Sequence, residues 1–176
     1  MKSILFVIIA GLLSLNAQPA YSDTLSATGT VEVHFSPNGG ATSAIVNEIQ
    51  SAKKEILIQA YTFTSTPIAE ALLDAHRRSV KVTVLLDKSQ RKERYTSATF
   101  LFNAGIQVMI DDKHAIAHNK IMIIDRETLI TGSFNFTRGA EEKNAENLLI
   151  LKSNKMLVER YISNFEEHKG HSQAYR

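Results

Sequence analysis

The residues best suited to chemistry lie between His118 and Asn135. His118-Asn119-Lys120-Ile121-Met122-Ile123-Ile124-Asp125 is followed, after six intervening residues, by Gly132-Ser133-Phe134-Asn135. Each fixed position of this H-x-K-x4-D-x6-G-S-x-N pattern recurs by chance about one time in 20 at average residue usage, so the set together is a specific signal. If residues 118–125 are extended, His118 and Lys120 project from one face, two residues apart. Ser133 and Asn135 repeat that arrangement on a neighbouring strand. An imidazole, an ammonium, a hydroxyl and an amide on one side suit a phosphate group. The lysine and the amide can hold non-bridging oxygens as charge grows on them. The imidazole can attack phosphorus or give up a proton. Taken singly, each residue is ordinary polar surface; the joint spacing is what argues for a site.

Other chemistries fit less well. His114 and His118 are four apart, a zinc spacing on a helix, but Ala115-Ile116-Ala117 leads into a predicted strand, and no HExxH accompanies the pair. No further ligand cluster stands out, so neither a metal nor a cofactor is expected. The chain has no cysteine, which removes thiolate metal sites and cysteine nucleophiles. With a formal net charge of only +2, phosphate binding must come from local groups rather than a basic coat. Lys88, Arg91, Lys92 and Arg94 form one such group after a predicted strand end, where α/β proteins often bind ligands; His76-Arg77-Arg78 forms another. Charged residues near a helix start are, however, ordinarily solvated.

The elements that must position these residues follow from periodicity. Strands are predicted at Val31 to Ser36, Ile56 to Phe63, Val80 to Leu86 and Ile106 to Ile110. A hairpin is predicted from Ile121 to Thr131 about Asp125-Arg126-Glu127, and a last strand from Leu148 to Leu151. Helices are predicted around Ile45, Ile49 and Ala52, closed by Lys53-Lys54. Another starts at Ser65-Thr66-Pro67 and buries Ile68, Ala71, Leu72 and Ala75. A third carries Tyr95, Ala98, Thr99 and Phe102, and a fourth, capped by Ser153-Asn154, buries Leu157, Tyr161, Ile162 and Phe165. The tail after Gly170 is expected to fray. This order predicts an α/β fold with a mixed, largely buried β-sheet flanked by helices on both faces, in one domain spanning 23–176. Residues 1–22 read as a secretory signal peptide: Lys2, the apolar run Ile4 to Leu15, and small residues at Ala20 and Ser22. The expected location is therefore the bacterial periplasm or the exterior, with no stable membrane association after cleavage.

His118, Lys120 and Asp125 resemble the HKD motif of the phospholipase D superfamily. The continuation through Gly132, Ser133, Asn135, Gly139 and Glu146-Asn147 is similar to its small bacterial Nuc-type endonucleases. The resemblance implies that His118 is a nucleophile forming a phosphohistidine, that Lys120 and Asn135 bind phosphate oxygens, and that Ser133 supports the pocket. It implies that Glu146 accepts a hydrogen bond from the other nitrogen of His118. Asp125 belongs to the motif, but its distance from Lys120 points to a structural role. The mechanism needs two histidines, whereas this chain has one motif, so a homodimer with a shared active site is expected. The implied reaction is metal-independent, non-specific hydrolysis of single- and double-stranded DNA, with RNA as a further substrate. The alternatives are a phospholipase D or cardiolipin hydrolase on the same scaffold, and a non-catalytic nucleic-acid-binding protein.

Overall fold

A computed structural model of the chain describes residues 24–93 and 96–176. The segment read as a signal peptide lies outside the described residues. Strands β1 (Thr30–Ser36), β2 (Glu55–Ala60), β3 (Lys81–Asp87), β4 (Gln107–Asp111), β5 (Lys120–Ile124), β6 (Thr128–Gly132), β7 (Glu146–Lys152) and β8 (Gln173–Ala174) build one sheet in the order β1-β7-β6-β5-β2-β3-β4-β8. β2, β3 and β4 run parallel, and the remaining pairs are antiparallel. The helices are α1 (Ala41–Ser51), α2 (Thr66–Arg77), α3 (Ala98–Asn103), α4 (Arg138–Glu142) and α5 (Lys155–His171). The mixed sheet between helical layers is the predicted α/β class.

Alternation within the strands builds two cores. Ile56, Ile58, Met122, Ile124 and Ile130 point to the side of α1 and α2, where Ile45, Ile49, Ile68 and Leu72 are fully buried. Leu57, Leu85, Ile121, Ile123 and Leu129 point to the other side, against Val158, Ile162 and Phe165 of α5. Both faces of β5 are thus covered, which is why its sequence is apolar throughout except at Lys120. Among the described residues, no helix is long and apolar enough to cross a membrane.

Several local expectations differ from the structure. The tail does not fray: Gln173 and Ala174 pair with Ile110 and Met109, and the Tyr175 amide donates to Val108 O at 2.9 Å. The Tyr175 ring meets Phe102 edge-on at 5.6 Å, which supplies the apolar contact the polar tail lacked on paper. α3 buries Ala98 and Leu101 rather than Phe102. Val31, Val33 and Phe35 alternate as a strand should, yet they are 61%, 49% and 66% exposed among the described residues.

Asp125 acts at the far end of β5. Its carboxylate accepts backbone N–H bonds from Lys53 (2.8 Å), Lys54 (2.7 Å) and Glu55 (3.0 Å), stapling the α1–β2 connection to the β5–β6 turn. Lys53-Lys54 therefore work through their amides rather than through the dipole of α1. Burial by itself would push the Asp125 carboxyl up, but the amides of Glu55, Lys53 and Lys54 outweigh it and hold it below the usual carboxylate range. The folded value thus lies below the unfolded one of about 3.9. The stabilisation is complete above the unfolded value and is lost as pH falls through the folded value. We expect Asp125→Asn to lower unfolding free energy by about 1–2 kcal/mol at pH 7, the modest end of the range because the site is partly solvated. In urea titrations the gap between wild type and Asp125→Asn should close below about pH 4; an unchanged gap at pH 3 would show that the charge is not what holds the staple.

Candidate active site

The register brings the chemistry-bearing residues to one end of the sheet. Ala60 at the end of β2 faces Lys120 at the start of β5, Gly132 at the end of β6 faces Leu148, and Ser36 faces Glu146 at the start of β7. Asn119 O accepts the Tyr61 amide at 3.0 Å and fixes the approach to β5. Phe134 and Phe136 are buried, so Ser133 and Asn135 between them take the opposite side. Phe136 O accepts the amides of Thr64 and Ser65, both at 2.9 Å, and its ring meets Phe63 at 5.9 Å; these contacts anchor the segment carrying Asn135.

Within this frame His118 is exposed and Lys120 is buried. Lys120 Nζ lies 3.0 Å from His118 Nδ1, donates to His118 O at 2.7 Å, and stands 5.3 Å from the centroid of the Tyr61 ring. Tyr61 itself packs on the His118 imidazole at 4.5 Å between centroids. An ammonium can only donate, so Nδ1 accepts and a neutral ring carries its hydrogen on Nε2. Burial lowers the Lys120 pKa from its ordinary value, while the charge of Glu146 opposes the shift. Ser133 Oγ accepts from Asn147 N at 3.0 Å and from Asn147 Nδ2 at 3.3 Å, tying β6 to the start of β7. Gly132 has φ +146°, and a Cβ there would stand 2.3 Å from Asn147 O, so only glycine fits this crossing. Asn135 Oδ1 is buried without a hydrogen-bond partner among the described residues. A cleft of about 380 Å³ opens beside His118, Lys120 and Thr131, with Arg160, Tyr161 and Asn164 of α5 on its far wall.

The structure thus gathers His118, Lys120, Ser133, Asn135 and Glu146 at one end, and it separates Asp125 from them. Five residues of extended chain put Asp125 about 17 Å beyond Lys120, which removes it from the reacting group. Glu146 does not hold His118: its Oε1 accepts from Asn144 Nδ2 at 3.1 Å, and Lys120 occupies the position at Nδ1. The basic group is only partly a phosphate surface. Lys88 donates to His114 O at 2.9 Å, and Arg91 reaches Gln173 Oε1 at 3.3 Å, so both hold the loop after β4 and the tail. Lys92 is exposed; Arg94 lies outside the described residues. His114 does not pair with His118 but stacks on His168 at 4.7 Å, beside Asp111 and His171, a possible ligand group that the sequence reading did not find. Tyr61, Arg160 and Asn164 were also missed; Tyr61 falls inside the strand predicted from Ile56 to Phe63, whereas β2 ends at Ala60 and leaves Tyr61 beside the site.

Comparisons with known proteins agree with this geometry. Residues 45–169 match the family model described as cardiolipin synthase, PLD-like domain. A protein named phospholipase D from Rickettsia prowazekii (strain Madrid E) is 41% identical over 154 residues, covering 88% of this chain and 75% of that one. A mitochondrial cardiolipin hydrolase from Xenopus laevis is 32% identical over 126 residues, covering 72% of this chain and 60% of its own. Among solved structures, the phospholipase D family member Nuc from Salmonella typhimurium superposes with a TM-score of 0.80 at 34% identity, covering 85% of this chain and 99% of that one.

The burial of Lys120 has a measurable cost. Its folded pKa lies below the unfolded one, so the charged form opposes folding throughout the neutral range, and relief comes only as pH rises through the folded value toward the unfolded one. Lys120→Met is therefore expected to leave Tm unchanged or raised at pH 7; if Lys120 holds a phosphate oxygen, inorganic phosphate or vanadate should raise the Tm of the wild type and not that of the variant. A variant that melts well below wild type yet still responds to phosphate would contradict this assignment.

Proposed function

The chain belongs to the phospholipase D superfamily and is a phosphodiester hydrolase of the Nuc type; from that premise we propose that it cuts DNA through a covalent phosphohistidine on His118, without a metal. The observation that carries this reading is the exposed His118 imidazole beside the buried Lys120 ammonium, both bordering an open cleft. The substrates proposed are single- and double-stranded DNA, with RNA as a further one; contacts to phosphates alone give little sequence preference. The comparison with Nuc supports a nuclease, and the intact set His118, Lys120, Ser133, Asn135 and Glu146 argues against a protein that only binds.

In the reaction, His118 Nε2 attacks phosphorus, the P–O bond to the leaving oxygen breaks, and the partner's His118 gives that oxygen a proton. Water then attacks the phosphohistidine, releasing Nε2, and the partner's His118 takes the proton from the water. The ring in contact with Lys120 carries its hydrogen on Nε2 and is neutral; to donate, the partner's His118 must be an imidazolium with hydrogens on both nitrogens, its Nδ1 no longer accepting from Lys120. The attacking ring needs the opposite tautomer, with its lone pair on Nε2 and Nδ1–H bonded to an acceptor. We assign that acceptor to Glu146, once Lys120 Nζ leaves Nδ1 for a phosphate oxygen. Rotating the Asn135 amide by 180° places Nδ2 at the unpaired buried position, where a second phosphate oxygen can satisfy it.

Two histidines on one phosphate call for two subunits. Support comes from the stripe Val31, Val33 and Phe35, exposed among the described residues, which flanks β7 and ends at the Ser36–Glu146 pair beside the site. An apolar patch of this kind is the self-complementary surface a twofold dimer uses. The signal peptide assigned to residues 1–22 would deliver the enzyme to the periplasm or beyond.

A second reading, hydrolysis of phospholipids, is favoured by one observation besides the names of the relatives: Ile116, two residues before His118, is 58% exposed. Plasmid DNA and cardiolipin or phosphatidylcholine vesicles, each with His118→Ala as control, separate the two. Nicking of plasmid in EDTA, with a phosphorylated protein trapped by acid quench, is the expected result. Cleavage of lipid alone would favour the second reading, and unchanged DNA binding with no cleavage of either substrate would favour a binding protein. Chains mixed with an excess of His118→Ala should lose activity in proportion to heterodimer formed; full activity in heterodimers would sink the shared site. The pH–rate profile should be bell-shaped, with two apparent constants that belong to the histidine pair.

A further inference from the structure

Three segments converge at the end of β4. Asp111 closes the strand, His114 lies in the loop leading to His118, and His168 and His171 come from the last turn of α5. One ligand atom from each of the four lies within 4.8 Å of all the others. Asp111 Oδ2 is approached by His168 Nδ1 at 2.6 Å, His114 Nδ1 at 3.0 Å and His171 Nε2 at 3.3 Å. The rings stand 4.7, 5.2 and 5.3 Å apart, and the Asp111 side chain is 2% exposed.

Hydrogen bonding accounts poorly for this group. Three ring nitrogens aim at one carboxylate oxygen, and the approach of His171 Nε2 lacks hydrogen-bond geometry, leaving that buried atom unpaired. With all rings protonated, three positive charges would crowd within about 5 Å of one another in a poorly solvated place. With the rings neutral, each can turn an N–H toward the carboxylate, but three donors then crowd Oδ2 and His171 Nε2 is left without a bond. A divalent cation among the four atoms removes both difficulties, because each convergent atom becomes a ligand and the other ring nitrogens remain free to donate outward.

We propose that Asp111, His114, His168 and His171 bind one Zn²⁺ ion in a closed structural site. Three imidazoles and one carboxylate suit a cation of borderline softness, and four protein ligands complete a tetrahedral shell with no position for a reacting water. The ion clamps the end of α5 and the paired tail to the edge of the sheet. It also fixes the start of the loop that delivers His118, which Lys88 (to His114 O) and Asp87 (from Ala117 N at 2.7 Å) hold from the β3 side. None of the four ligands belongs to the phosphate-binding set, so the site goes beyond the nuclease reading and does not depend on it.

The test uses the full chain with any affinity tag removed, stripped of metal, mixed with ZnCl₂ and desalted. Metal analysis should find about one zinc per chain, with Tm raised by more than about 5 °C over the metal-free protein. Co²⁺ should give the visible absorption of a tetrahedral site. The variant His168→Ala/His171→Ala should lose the zinc, the Tm response and the cobalt band, whereas His118→Ala should keep all three. If the double variant does not fold, His114→Ala, at the half-exposed ligand, should weaken zinc binding by at least about tenfold. Failure of the wild type to retain zinc, equal retention by the ligand variants, or loss of zinc in His118→Ala overturns the proposal. Plasmid nicking is scored separately, below the melting temperature of the metal-free protein, so failure of the nuclease reading leaves the zinc result untouched.

Discussion

The seating of β5 between β2 and β6 is the constraint on which the rest depends. Side chains along a strand alternate, so a slip of one residue would put Ile121 where Lys120 stands and turn the core of both faces inside out. Burial on both sides makes that slip costly: Ile121, Met122, Ile123 and Ile124 are all buried. The register thereby fixes an ammonium at the mouth of the cleft and, at the other end of the same strand, the carboxylate that staples the α1–β2 connection. The two outer letters of one motif serve different ends of the molecule, with Lys120 beside His118 and Asp125 far from both.

Much of this was legible because the signals are local. The hairpin from β5 to β6 follows from two apolar runs around Asp125-Arg126-Glu127, and in the structure Asp125 and Arg126 take φ values of 53° and 59°, the left-handed geometry of a tight turn. The Ser133-Phe134-Asn135-Phe136 alternation carries its own orientation, with rings to the core and polar groups outward. The α2 stripe of Ile68, Ala71, Leu72 and Ala75 is buried as its spacing predicts.

What was hidden depends on sheet order, which local periodicity does not encode. His168 and His171 read as ordinary basic residues completing a helix C-terminus. Only the placement of β4 near the sheet edge, under the end of α5, brings them to Asp111. The same holds for the tail, whose pairing with β4 exists because that strand has a free edge. The exposure of Val31, Val33 and Phe35 could not be read either, since an alternating strand looks the same whether its apolar side meets a helix, another subunit or water. The contact of His118 with Lys120 instead of Glu146 is a choice between neighbouring charged groups that no spacing rule resolves.

The two groups of histidines are bound together by chain length. His114 and His118 are separated by four peptide steps, at most about 14 Å when fully extended. The His118 backbone therefore cannot wander once the start of its loop is held, and Asn119 O, bonded to the Tyr61 amide, holds the other side. An attacking imidazole gains most when its approach is set before the phosphate arrives, because positional freedom lost in advance is not lost again in the transition state. That requirement favours anchoring the loop with groups that never touch substrate. Anchors within the phosphate pocket would compete with it for the same donors, as Lys120 already does by donating to His118 O in the resting arrangement. With β2 and β3 standing between Asp111 and β5, an anchor there would let the loop be rigid while the proposed phosphate pocket keeps its lysine, its amide and its imidazole available.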